Sequence, residues 1–139
     1  MKKLLLILTL TLACKFIFAQ EADPAATEPI RDRMSEFIQK RLNLTREESD
    51  KFTPVFYRYF KEWRTTLRDN RGDRLVLQQK IIDLRLRYRN DFREILGERR
   101  GNQVYDHQEV FIKEMRKVGR ERMENRMTKP PNKNLPVNN

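Results

Sequence analysis

Side chains suited to catalysis or metal binding are scarce in this sequence. His107 is the only histidine and Cys14 the only cysteine among the 139 residues. A zinc site built on His107 would need carboxylates for nearly all of its other ligands, and a lone histidine in a helical pattern is more typical of a helix surface. No serine or threonine has a histidine partner that the sequence nominates, and there is no glycine-rich phosphate loop. We therefore predict no catalytic, cofactor-binding or metal-binding residues, and no enzyme activity.

Basic side chains are the remaining candidates for function. The chain carries 30 Lys and Arg against 20 Asp and Glu, which gives a formal charge of +10. A candidate basic binding face recurs at helical spacing in the second half of the chain: Arg85, Arg89, Arg93, Lys113, Arg116 and Arg120. Such a face would attract acidic or flexible partners by long-range, salt-sensitive forces. The alternative is an ordinary solvated face, because acids such as Asp83 and Asp91 lie among these residues.

The sequence predicts only helices, so these residues must be positioned by helices. Strand-like alternation is absent, and the high charge with little aliphatic content favours thin helices with a narrow core. The first helix begins near Thr27-Glu28-Pro29 and runs to about Arg41. The second begins at a capping box in Leu44-Thr45-Arg46-Glu47-Glu48, where Thr45 and Glu48 each bind the other's backbone N–H.

The apolar residues of each helix predict which face is buried. The second helix has an aromatic stripe at steps of three and four: Phe52, Val55, Phe56, Tyr59, Phe60, Trp63 and Leu67. Tyr57 lies off this stripe and is a candidate for exposure. The third helix, from about Arg74 to Leu96, has the following inward residues: Leu77, Ile81, Leu84, Tyr88, Phe92 and Ile95, widened by Leu75, Ile82 and Leu86. The fourth has these: Val104, Tyr105, Phe111, Ile112, Met115 and Val118.

Two predicted turns set the connections between these helices. Residues 69–73 and 97–101 contain the glycines and capping side chains that end helices, so we predict four helices around a long bent antiparallel hairpin. Pro54 lies well past the first turn of the second helix, which predicts a kink near residues 50–54.

The N-terminus has the pattern of a secretory signal peptide. Lys2 and Lys3 precede a short apolar run that ends at Ala19, with cleavage expected before Gln20. Two alternatives are an uncleaved anchor and a lipid anchor on Cys14. We then expect a disordered leader at 20–27, one helical domain at 28–127 and a disordered tail at 128–139.

On these residues the chain resembles the Spy/CpxP-like family, whose members repeat an LTxxQ motif at helix starts. Leu44-Thr45-Arg46-Glu47-Glu48 matches the motif with glutamate in place of the final glutamine. A second, degenerate copy falls at Leu96-Gly97-Glu98-Arg99-Arg100, with glycine for threonine and arginine for glutamine. The resemblance covers about residues 28–125.

The resemblance implies an all-α periplasmic protein that uses no ATP and can form a homodimer. It implies a chaperone or envelope-stress accessory protein that binds unfolded or partner polypeptides, but it transfers no client-binding residue to this sequence, so the basic face above is a candidate from charge and spacing alone. The alternative is a regulatory sensor domain that docks on a membrane sensor kinase or an anti-sigma system. Histidine-rich metal sites of some members have no counterpart here. Export argues against nucleic acid as a partner, and no membrane-spanning segment is expected in the mature chain.

Overall fold

A computed structural model describes residues 24–128, and this part of the chain is helical without any strand. The helices are α1 (Pro24–Arg41), α2 (Arg46–Asp69) and α3 (Arg74–Thr128). The all-α prediction is confirmed for these residues. The predicted signal peptide, Cys14, the start of the leader and the tail from residue 129 onward lie outside the described residues.

The chain divides into one compact unit that ends at Asp32 and a second that begins at Arg33. In the first unit, the described residues are helical, Ile30 is exposed, and Arg31 pairs with Asp32 at 2.9 Å. Helix α1 begins at Pro24, within the stretch for which a disordered leader is predicted. Proline is favoured in a first helical turn, and Ala25 and Ala26 have the highest helix propensity of any residue.

Helix α3 reverses direction at Gly97. The backbone angles of Gly97 are φ 78° and ψ 163°, a conformation that is essentially restricted to glycine. Contacts then pair the part before Gly97 with the part after it in antiparallel order. Arg93 Nε donates to Asn102 Oδ1 at 3.0 Å, and further from the turn Arg85 Nη1 donates to Glu109 Oε1 at 2.8 Å. Residues 74–96 and 98–128 therefore form a helical hairpin whose turn is one residue long, shorter than the predicted turn at 97–101.

Helix α2 begins at the capping box and runs through Pro54 without interruption. Glu48 N donates to Thr45 Oγ1 at 3.2 Å, and Thr45 N donates to Glu48 Oε2 at 3.0 Å. The kink predicted near Pro54 is not accompanied by any break in the helix. Pro54 and Asp50 are both exposed, so water can bond to the Asp50 carbonyl that the proline leaves without an N–H donor.

The core of the second unit is a set of aromatic rings from α2 packed on both parts of α3. Phe52, Phe56, Tyr59 and Phe60 are buried on α2, as the aromatic stripe predicts. Phe92 lies against Phe52 at a ring-centroid distance of 5.5 Å. From α1, Met34 and Ile38 are buried in the same cluster, which also contains Leu84, Tyr88, Leu96, Val104 and Phe111.

Several residues predicted to face inward are exposed. On residues 74–96, Leu75, Ile82 and Leu86 are 77%, 52% and 51% exposed. Successive helix positions differ by 100°, so these three form their own stripe, roughly opposite the buried Leu84. On residues 98–128, Met115 and Val118 are exposed because they lie past Ile112, the last residue of this helix that packs against the core among the described residues. Conversely, Tyr57 is half-buried and packs against the core, so its predicted exposure is wrong.

Candidate functional site

The capping box does more than begin α2, because Glu48 also binds Arg100 across the bundle. Arg100 Nη1 donates to Glu48 Oε2 at 3.0 Å and Nη2 binds the other carboxylate oxygen. Arg100 Nε donates to the Leu96 carbonyl at 3.1 Å. Glu48 and Arg100 occupy the last position of the two motif copies, so the start of α2 is tied to the turn at Gly97. The opposite charges at equivalent positions were the sequence signal for this pair.

This ion pair makes stability depend on pH. The Arg100 guanidinium, helped by the Thr45 N–H, lowers the pKa of the Glu48 carboxyl below its ordinary value. A carboxylate with a lower pKa in the folded state contributes stability that is fully present above the unfolded pKa of about 4.3. That contribution is lost as the pH falls through the folded-state pKa.

Glu48→Gln tests the pair, because the amide keeps an acceptor for the Thr45 N–H and removes the charge. We expect a lower melting temperature than the wild type at pH 7, with the difference vanishing as the pH falls below about 4. Thermal unfolding followed by circular dichroism from pH 7 to pH 3 measures this. When Arg100 is already replaced by glutamine, adding Glu48→Gln should change the melting temperature much less, and the change should depend much less on pH. A difference of equal size at both ends of the pH range would contradict the assignment.

Two of the six candidate basic residues hold the α3 hairpin together. Arg85 lies over the Tyr105 ring at 5.4 Å and binds Glu109 at 2.8 Å. Arg93 binds Asn102 and is 3.4 Å from Glu98. Both side chains are about three-quarters buried, at 26% and 28% exposure. Both guanidinium groups are therefore already bound within the molecule and are poorly placed to bind a partner polypeptide.

The other four candidates are exposed: Arg89, Lys113, Arg116 and Arg120. Within residues 24–128 none of them forms an ion pair with an acid. The last three lie on residues 113–128, which we call the C-terminal arm and in which every residue is exposed. Lys113, Arg116 and Arg120 follow each other at steps of three and four, so they share one face of the arm.

Apolar side chains lie beside these basic residues on the arm. Met115 and Val118 are 40% and 38% exposed and continue the face on which Phe111 is buried. Met123 and Met127 are 66% and 78% exposed and extend the row of Arg116 and Arg120. The arm thus presents methionine and valine among arginines. Methionine is flexible and polarizable, so it adapts to binding surfaces of different shape.

A buried polar contact joins α2 to the hairpin. Tyr59 Oη donates to Gln108 Oε1 at 2.7 Å, and both side chains are fully buried. Nearby, Tyr105 Oη donates to the Arg85 carbonyl at 2.7 Å. Burial raises the pKa of both tyrosines, so they stay neutral donors. Sequence analysis missed Gln108, because one glutamine among apolar positions resembles a surface residue until its tyrosine partner is placed.

The described residues contain no arrangement suited to metal chemistry. Between residues 24 and 128, no three His, Cys, Asp or Glu side chains come together in a way that could hold a metal ion. His107 is half-buried. In the same range, no helix combines the length and the apolar content needed to cross a membrane.

Comparisons with known proteins give no relative for this chain: no family model, no curated protein and no solved structure matches it.

Proposed function

We propose that this protein is an exported, periplasmic binding protein for unfolded or partner polypeptides, acting as a chaperone or envelope-stress accessory without ATP. The observation that carries the proposal is the C-terminal arm, where exposed Met115, Val118, Met123 and Met127 lie beside Arg116 and Arg120, which form no ion pair within residues 24–128. Exposed apolar groups of this kind are typical of surfaces that bind other chains. Arginines around them favour acidic segments and speed encounter.

A second exposed apolar stripe supports the same proposal. Leu75, Ile82 and Leu86 project from residues 74–96, away from the core. The closest contacts between the two parts of α3 run from Arg93–Asn102 to Arg85–Glu109. Beyond that region both parts expose apolar side chains, Leu75 and Ile82 on one part and Met115 and Val118 on the other, while Leu86 lies on the outer face within it. A flexible client could therefore bind to either part through weak, reversible contacts, which suits a chaperone that releases its client without nucleotide.

Light scattering by an acidic client that aggregates on reduction of its disulfides tests this function. We expect the mature protein to suppress scattering near stoichiometric amounts, and less so as salt screens the arm. Replacing Met115, Val118, Met123 and Met127 by serine should abolish most of the suppression without changing the melting temperature. Arg116→Glu with Arg120→Glu should weaken it and reverse its salt dependence.

The matched control is Arg58→Glu with Lys61→Glu, which changes the net charge equally on the exposed side of α2. This pair should suppress scattering nearly as well as the wild type. No suppression at any stoichiometry would overturn the chaperone function. Capture of one stoichiometric partner from envelope extracts would then favour the alternative, a regulatory domain that docks on a sensor kinase or an anti-sigma system.

A further inference from the structure

A cleft opens at the end of the bundle where α1 ends and α3 turns at Gly97. Its volume is about 650 Å³, and it is open to solvent. Leu42 and Leu96, which are 6% and 3% exposed, lie at its base. We call it the corner cleft. It does not include the exposed apolar side chains of the C-terminal arm, and among the described residues it meets the arm only where Arg41 reaches Glu114 at 3.3 Å.

Polar donors line the corner cleft on two sides. Arg99, Gln103 and His107 lie on one side, and their four-residue spacing places them on the same face of residues 98–128. Arg41 and Asn43 lie on the other side, where the chain leaves α1. Asn43 has a positive φ of 48°, as is common for a residue that ends a helix.

Most of these donors have no partner in the protein. Within residues 24–128, the side chains of Asn43, Arg99, Gln103 and His107 form no hydrogen bond or ion pair. Arg41 is half-exposed; it lies over the Phe37 ring at 5.0 Å and reaches Glu114 at 3.3 Å.

The other charged residues at the cleft are committed elsewhere. All three guanidinium nitrogens of Arg100 donate within the protein, to Glu48 and to the Leu96 carbonyl. Glu98, the acid that lines the cleft, is 79% exposed and pairs with Arg93. The cleft therefore offers free donors and an excess of positive charge.

From this arrangement we propose that the corner cleft binds a phosphate group, with Arg41 and Arg99 as its principal ligands and Asn43, Gln103 and His107 as further donors. Arginine binds phosphate oxygens through charge-assisted, often paired hydrogen bonds. A tetrahedral phosphate presents oxygens toward donors on both sides, whereas a planar carboxylate presents both of its oxygens along one edge. The volume also exceeds that of a single phosphate ion, so a phosphate ester fits the cleft. The ester can be a soluble compound or a lipid headgroup.

Isothermal titration with glycerol phosphate, and sedimentation with phosphatidylglycerol vesicles, test the site and identify the source. Binding of glycerol phosphate assigns a soluble ester. Binding of anionic vesicles, with none to phosphatidylcholine vesicles, assigns a headgroup. In either case Arg41→Gln with Arg99→Gln should weaken binding about tenfold or more, because the phosphate loses both of its charged ligands. Both side chains are exposed, and circular dichroism verifies that the variant folds.

The control is Arg122→Gln with Arg126→Gln, which removes the same charge from a part of the arm that begins about 12 Å of helix beyond Glu114. We expect it to leave binding within about twofold of the wild type, because salt screens charges beyond roughly 10 Å. Equal loss in the two pairs would show diffuse attraction to the basic surface and overturn the site. So would the absence of binding to both probes at millimolar concentration. Loss of client binding in the arm variants leaves this result unaffected, so the two proposals fail separately.

Discussion

Phe92→Ala is expected to lower the free energy of unfolding by about 3–5 kcal/mol, the cost typical of removing a buried aromatic ring. Phe92 is fully buried where α2 meets both parts of α3. Its ring centroid lies 5.5 Å from that of Phe52, 5.9 Å from that of Tyr59 and 5.9 Å from that of Tyr105. Edge-to-face pairs of this kind add stability beyond area burial. One substitution therefore weakens both the packing of α2 on α3 and the packing between the two parts of α3.

Urea denaturation followed by circular dichroism measures this loss, and Leu86→Ala is the matched control on the same helix. Leu86 is 51% exposed, so its replacement should change the free energy of unfolding by less than about 0.5 kcal/mol. Domains of this size are stable by only about 5–15 kcal/mol, so Phe92→Leu provides a milder variant if alanine prevents folding. Equal destabilisation by Phe92→Ala and Leu86→Ala would contradict the assignment of buried and exposed faces.

The burial of the aromatic stripe of α2 was predictable, because other helices pack against this stripe on two sides. Phe52, Phe56, Tyr59 and Phe60 follow helical spacing, and all four are buried. The same reasoning failed for Leu86, an apolar residue on a helix that is covered on only part of its circumference. Periodicity shows which residues share a face. It does not show how far a partner helix extends along that face, and for that reason Met115 was also wrongly placed inside.

The position of the turn in α3 was predictable, but the residue that makes the turn was not. Gly97 and Gly101 both interrupt the helical pattern, and a helix-breaking segment at 97–101 follows from either. In the structure Gly97 makes the turn, with a positive φ of 78°, whereas Gly101 is helical and buried. The sequence does not show how closely two backbones approach each other. It therefore could not show which glycine makes the turn and which one allows two helices to pack closely.

The candidate binding residues depended on the same missing information. Arg85, Arg89 and Arg93 share a spacing of four, but the ends of this row meet Glu109 and Asn102 on the returning helix. The hairpin geometry decides which arginines remain free. Glu48 and Arg100 are 52 residues apart, and only the fold brings them together.

Gly101→Ala should destabilise the protein by up to about 2 kcal/mol, although alanine is the better helix former. A Cβ at this position would lie 2.8 Å from Arg93 N and 2.9 Å from Arg93 Cα. Because these are backbone atoms, no change of side-chain rotamer removes the clash. The two parts of α3 would have to separate where Arg93 binds Asn102. Overpacking at such a contact outweighs the propensity gain of roughly 1 kcal/mol.

Gly119→Ala is the control for Gly101→Ala, since it is the same substitution in the same helix and should change stability in the opposite direction. Nothing lies within 4 Å of a Cβ at Gly119, which is exposed on the arm. Here alanine gains only its helix propensity, so helicity should rise, with stability unchanged or higher by up to about 1 kcal/mol. Chemical denaturation of both variants provides the comparison. Two substitutions of opposite effect would mean that Gly101 is required for helix–helix contact; if both stabilised, the hairpin could not pack as closely as the Arg93–Gly101 approach requires.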